Sequence, residues 1–183
     1  AAGIPAQMDF QFVLPAAPTG NNSALAGFGG DFGYVGGGME SKGHVEIGAG
    51  ATLKSLDLDL LKFGLSEVSA AVRPLPVAGY EVVMKGLQFD MRPYMSRLLK
   101  TDANKAGQNL PPMSISLQLG RLILDDTQML DNMAGSANFD GTHWRNMSAK
   151  GDLSRGDLVG GVPINLAFSS SAKKSEIKVG SKD

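Results

Sequence analysis

The sequence contains no cysteine, which excludes disulfide staples, thiolate metal sites and a thiol nucleophile. Aromatic residues are scarce: 3 Tyr and 1 Trp are too few to furnish the two aromatic girdles of an outer-membrane barrel. No run approaches the about 18 consecutive apolar residues of a membrane-spanning helix. Neither charge sign dominates. The 17 basic and 18 acidic residues leave a formal net charge of −1, without the basic excess that nucleic-acid binding needs. The opening AAGIPAQ has neither the basic nor the apolar part of a secretory leader, so any targeting segment of an envelope protein lies outside these residues. What the chain has is apolar content. At 43% hydrophobic over 183 residues, it can bury the core of one domain, or of one slice of a longer repetitive protein.

The recurring signal is alternation. Met8, Phe10, Phe12 and Leu14 alternate with Asp9, Gln11 and Val13; Leu56, Leu58 and Leu60 alternate with Asp57 and Asp59. Val68, Ala70 and Val72 form a third such run, Tyr80, Val82 and Met84 a fourth, and Met113, Ile115, Leu117 and Leu119 a fifth. Met133, Ala137 and Phe139 share a phase across Gly135, as do Ile164, Leu166 and Phe168, and then Ile177 and Val179. Successive strand side chains point to opposite faces, so each run has one apolar and one polar face, as in an antiparallel sheet covered on one side. About ten strands follow. Asp140-Gly141 is a strong hairpin signal; Pro74-Leu75-Pro76 with Ala78-Gly79, and the segment SSSAKK (169–174), mark further turns. At Leu60-Leu61 the phase shifts, since Leu61, Phe63 and Leu65 continue on the other parity, and a bulge or turn is expected there.

One segment has a helical period. Met91, Tyr94, Met95, Leu98 and Leu99 fall at i, i+3, i+4, i+7 and i+8, with Asp90 as N-cap, Pro93 in the first turn and Lys100 at the C-terminus. A short amphipathic helix is therefore expected at about 90–100, with its apolar side on the sheet. Packing on the sheet is its expected role, with contact of its outer basic residues Arg92, Arg97 and Lys100 to lipid head groups as the alternative. The following TDANKAGQNLPP reads as a loop.

Motifs of catalysis or metal binding do not assemble. The glycine-rich stretch 27–38 has Phe32 where a dinucleotide fingerprint needs its third glycine, and it ends in Met39-Glu40 rather than Gly-Lys-Ser/Thr. It reads as a loop anchored by Phe28, Phe32 and Tyr34, with a glycine-rich strand edge as the alternative. His44 and His143 have no ligand spacing around them. The acid pair Asp57/Asp59 lies on the wet face of a strand, and Asp125/Asp126 borders a turn. No serine sits in a G-x-S-x-G elbow. Met8, Met84, Met113 and Met133, among nine methionines, serve either as core filling or as an adaptable surface for acyl chains. The chain is read as a non-enzyme without cofactor or metal.

Three segments, LKSLDLDLL (53–61), LQFDMRPYMSRLL (87–99) and the meander from Leu110 to Leu153, followed by VPINLAFSSSAKKSEIKVGSKD, resemble the AsmA-like superfamily of bacterial envelope proteins, of the YhdP and TamB types. The likeness covers residues 53–183 and rests on pattern; residues 1–52, N-terminal strands and the glycine-rich stretch, match weakly. The resemblance implies a mainly β fold: an antiparallel twisted sheet curled into a half-pipe, with the one short helix. It implies a segment of a periplasmic lipid-transfer protein, anchored in the inner membrane through a segment outside this chain. Its partners would be phospholipid and proteins at the two envelope membranes, with no nucleic acid. The lining expected to meet acyl chains is Leu56, Leu58, Leu60, Tyr80, Val82, Met84, Ile115, Leu117, Leu119, Ile164, Leu166 and Phe168. Ten strands at about 4.8 Å give only about 50 Å of groove, so the chain is expected to be part of something longer. A half-closed β-barrel carrier of lipid or lipoprotein, and a structural β-domain used in envelope assembly, are the alternatives.

Overall fold

The computed structural model describes residues 7–13, 27–94, 110–155, 161–170 and 175–181. They form one sheet of eleven strands arranged in chain order. The strands are β1 (Gln7–Val13), β2 (Phe28–Gly36), β3 (Met39–Ile47), β4 (Leu53–Phe63), β5 (Ser66–Pro74), β6 (Tyr80–Asp90), β7 (Met113–Ile123), β8 (Gln128–Phe139), β9 (Trp144–Arg155), β10 (Val162–Ser170) and β11 (Ser175–Ser181). A single 3₁₀ turn, Ala49–Ala51, joins β3 to β4. The expected mainly β fold is what forms. The sheet stays open, with β1 and β11 at opposite ends. Residues 1–52 and 53–183 contribute to the same sheet, since Ile47 pairs with Leu53.

Two expectations change. All neighbours are antiparallel except β6 and β7, which run parallel, Tyr80 opposite Met113 through Asp90 opposite Ile123. A parallel neighbour requires a crossover connection rather than a hairpin; most of the connecting segment lies outside the described residues. The glycine-rich stretch is not a loop but strand β2, followed by a tight turn. Phe28, Phe32 and Tyr34 fall on one face by strict alternation, and Gly37 and Gly38 take φ of +56° and +77°, which a two-residue hairpin of this hand requires.

The expected helix begins where the periodicity placed it. Residues 92–94 are helical, and the Tyr94 N–H donates to the Met91 carbonyl. Asp90 caps this turn: its Oδ1 accepts from the Arg92 backbone N–H at 3.0 Å, and both carboxylate oxygens accept from the Arg92 guanidinium at 2.9 and 2.8 Å. The Asp90 N–H in turn donates to Ser66 Oγ. The guanidinium hydrogen bond holds the buried Asp90 carboxyl below the usual carboxylate range. Tyr94 stacks on Phe89, centroids 6.0 Å apart, so the start of this turn does lie against the sheet. The remainder of the expected helix, 95–100, lies outside the described residues.

The phase shift foreseen at Leu60-Leu61 is one of a row of irregularities crossing the sheet. The register slips between Leu58 and Leu61 in β4, and opposite it between Lys42 and Gly43 in β3. It slips again between Glu67 and Val68, where β6 has one residue more than β5 between Gly86 and Gln88. The ladder then passes over Leu87, Gly120 and Asn132, which are adjacent in β6, β7 and β8. Each bulge bends its strand. Because the bulges align, the middle of the sheet bends along one crease.

Glycines mark this crease on the strands facing it. A Cβ on Gly120 would come within 2.7 Å of the Leu87 carbonyl oxygen, and one on Gly151 within 2.7 Å of that of Asp131. Gly43 and Gly86 are similarly pressed onto the carbonyls of Asp57 and Glu67. Inside the bend, residues from either side of the irregularities pack together. Val68, Leu119, Leu130 and Met133 are buried, with Leu61, Met84, Phe89, Leu122 and Leu153 against them. Each full burial contributes about 1.5–3 kcal/mol. Replacing Gly151 by Ala should therefore lower the unfolding free energy by about 1–3 kcal/mol. The same change at Gly180, where a Cβ meets nothing within 4 Å, should be close to neutral. Urea titrations of the two variants measure the difference.

Candidate functional site: the inner face of the folded sheet

Because the register is continuous, one face can be followed from edge to edge. It runs from Met8 and Phe10 through Phe32 and Tyr34, Val45, and Leu56 and Leu58. It continues through Ala70 and Val72, Tyr80, Val82 and Met84, and Ile115, Leu117 and Leu119. Ala137, Met147 and Ala149 follow, then Ile164, Leu166, Phe168 and Val179. This is the concave face, since the side chains that bury one another across the crease belong to it.

Eleven of the twelve expected lining residues lie here. Leu60 does not. It pairs with Lys42 on the far side of the β4 bulge, while Leu61 pairs with Val68 and joins the core. The extra residue moves the apolar phase by one, so Leu61 takes the inner position and Leu60 turns outward with Lys42 and Lys62. Leu61 and Phe63 are among the inner-face residues that simple alternation missed, and the phase change at the Leu60-Leu61 pair was the available signal. Phe63 meets Phe89 edge-on at 5.9 Å, across the small Ser66 of the strand between them.

The face is not uniform. At the crease it is filled: Val68 is 2% exposed, Leu130 3% and Leu119 4%. Toward both edge strands it opens. Met8 and Phe10 are 62% and 56% exposed at one end, and Leu166 and Val179 are 39% and 72% exposed at the other. Met147 and Val162 are also exposed there. The trough thus has a packed waist and two apolar flared ends.

The convex face carries the cross-strand ion pairs, with Val35, Leu60 and Val83 interspersed among its polar residues. Arg73 bonds Asp57 at 2.5 Å, Arg121 bonds Asp131 at 2.6 Å, and Lys62 lies 3.5 Å from Glu67. Hydrogen bonds from Arg121 and then Ser154 hold Asp131 below the usual carboxylate range. The shallow depressions on this side are lined by outward residues such as Asp57, Ser69, Ala71 and Lys85, or Ser136, Ser148, Lys150 and Asn165.

Of the acids weighed for catalysis, Asp57, Asp125 and Asp126 have structural partners. Asp125 Oδ1 accepts from the N–H groups of Thr127 and Gln128, and these bonds lower its pKa. Asp126 binds Arg92. Asp140 holds the β8–β9 hairpin, accepting from the N–H groups of His143 and Thr142 and from Arg145, and is pushed far below the usual carboxylate range by the first two. Among the described residues no group of three His, Cys, Asp or Glu side chains could hold a metal ion, and no helix is long and apolar enough to cross a membrane.

His44 sits on the convex face between Asp31 of β2 and Asp57 of β4, its cross-strand neighbours. Its Nδ1 is 2.7 Å from Asp31 Oδ1, and this hydrogen bond raises the imidazole pKa above its ordinary 6.5. A raised pKa means the interaction is fully present below the ordinary value and is lost as pH rises through the folded one. The NMR titration midpoint of His44 is expected above 6.5 and should fall in Asp31→Asn; the melting temperatures of the two proteins should converge at alkaline pH. Comparison with protein-family models, with curated proteins and with solved structures gives no match for this chain.

Proposed function

We propose that this chain is a segment of a cell-envelope lipid-transfer protein of the AsmA-like kind, holding phospholipid acyl chains along its concave face. One observation carries the reading: the apolar inner face continues across the strands and stays exposed at both flared ends, while the outer face carries the cross-strand ion pairs. Each methylene moved from water onto such a surface gains about 0.8 kcal/mol. A trough open on one side shelters the tails and leaves the head group hydrated. The chemistry required is burial alone, so no residue is assigned a catalytic role. Phospholipid is the ligand, the periplasm the site of action, and an anchor in the inner membrane would come from outside this chain.

The packed waist favours a second reading, a structural β-domain of envelope assembly, because Val68, Leu119, Leu130 and Met133 already cover one another. The two readings part on what the exposed ends hold. The protein purified gently from a bacterial host should carry phospholipid visible by mass spectrometry. Leu166 is inward and 39% exposed; Ala167 is its outward neighbour. Leu166→Asp should keep its fold, because the carboxylate stays hydrated at the open end, and lose lipid loading by roughly tenfold. Ala167→Asp should keep both. A folded Leu166→Asp with undiminished loading would place the lipid off this face, and lipid-free wild type would favour the structural domain.

A further inference from the structure

Charge is divided unevenly between the two faces. Followed through the ladders from β1 to β11, the inner-facing paired positions of the described residues hold one charged side chain, Arg155, opposite Gln128. Leu153, two residues before it, faces Leu130 and packs against the core, while Ser154 between them turns outward and bonds Asp131. Alternation therefore brings Arg155 to the inner face at the last position of β9, where it is exposed.

The other described arginines have carboxylate partners. Arg73 is paired with Asp57, Arg92 with Asp90 and Asp126, Arg121 with Asp131, and Arg145 with Asp140. Among the described residues Arg155 alone lacks such a pair. Asp125 is held below the usual carboxylate range by hydrogen bonds from Thr127 and then Gln128, and the charge of Arg155 is only the last contribution to it. That carboxylate is thus committed to its own turn. At the rim of an apolar face the stem of an arginine lies on apolar surface while its guanidinium stays in water.

Beside Arg155 begins a column of apolar side chains. Val162 pairs with Leu153 and is 46% exposed, and Ile164, Leu166 and Phe168 follow on the same face of β10. From Val162 to Phe168 the column extends about 20 Å at about 3.4 Å per residue. A lipid tail occupies about 15 Å in half of a bilayer's hydrocarbon core, so one tail fits along it. The guanidinium supplies what the column lacks: a positive charge and parallel N–H donors that match the oxygens of a phosphate, and that a neutral hydroxyl head group cannot exploit.

We propose that Arg155 selects the head group, holding the phosphate of an anionic phospholipid at the end of β9 while a tail lies along β10 from Val162 toward Phe168. This rests on the lipid reading of the concave face and adds a head-group preference that burial of tails alone does not produce.

Lipid extraction separates the two. The delipidated 183-residue chain is incubated with vesicles of equal parts phosphatidylglycerol, phosphatidylethanolamine and diacylglycerol, and the lipids it takes up are quantified by mass spectrometry. Wild type should favour phosphatidylglycerol over diacylglycerol. Arg155→Gln should lower that ratio roughly fivefold while loading itself persists, and Arg155→Lys should keep part of the preference. Lys150→Gln, which removes an exposed cation of the outer face, should leave the ratio unchanged. High salt should bring wild type toward the Arg155→Gln ratio. Because Arg155 is exposed, its variants should fold, which far-ultraviolet circular dichroism checks. An undiminished preference in folded Arg155→Gln would overturn the head-group assignment and leave the lipid reading standing. Wild type that takes up no lipid would overturn both. Calorimetric binding of inorganic phosphate alone at micromolar concentration, lost in Arg155→Gln, would assign the arginine to the free anion and likewise overturn the proposal.

Discussion

The structure depends on the crease. A flat sheet of one-sided strands would leave its apolar face in water over its whole area, and no described second sheet or helical layer covers it. Aligned irregularities from β4 to β8 bend the sheet so that residues on either side of the row cover one another. Leu119 and Leu122 belong to one strand, and Met133 and Leu130 to another, yet all four meet in one cluster. The glycines opposite the bulges allow it, because neighbouring carbonyls occupy the space a Cβ would need. An extra residue in a strand is ordinarily a local defect. Here it is repeated across neighbours, and the repetition makes a core.

The same bend sets the gradient of exposure. The bulge row spans the middle of the sheet, so the waist is filled by its own side chains, and the ends, formed by β1–β2 and β10–β11, stay open. Apolar surface is thus available where the sheet has least to cover it. A trough built this way supplies contact area for chains of methylenes, without the directed polar groups that would select one small molecule. That character supports a lipid ligand more than any single residue does.

The polar side is organised as closely as the apolar one. Asp90, Asp125 and Asp140 each accept backbone N–H groups at a turn or helix start, which is why such short connections hold their form. Arg92 ties the beginning of the β6–β7 return to Asp126 in the β7–β8 turn, fixing the one place where strand direction does not reverse. That single parallel step has a consequence at a distance, because it sets the relative direction of β1 and β11.

Period-two alternation, read from residues such as Tyr80, Val82 and Met84, was enough to establish strands, a one-faced apolar surface and most of its lining, since side-chain direction in a strand is local. The Asp140-Gly141 turn and the Asp90 cap were legible for the same reason: a side chain bonds a backbone only a few residues away. The strand nature of 28–36 was harder to see, because glycine contributes no side chain to the pattern and pairing with β1 and β3 made the decision. Alternation also put Leu60 on the wrong face, since a bulge is specified by the partner strands as much as by its own residues. The parallel β6–β7 step, the alignment of bulges into a crease and the burial of Val68, Leu119, Leu130 and Met133 belong to the tertiary structure alone. Each depends on which strands become neighbours and in what register, a choice made by contacts between residues far apart in the chain.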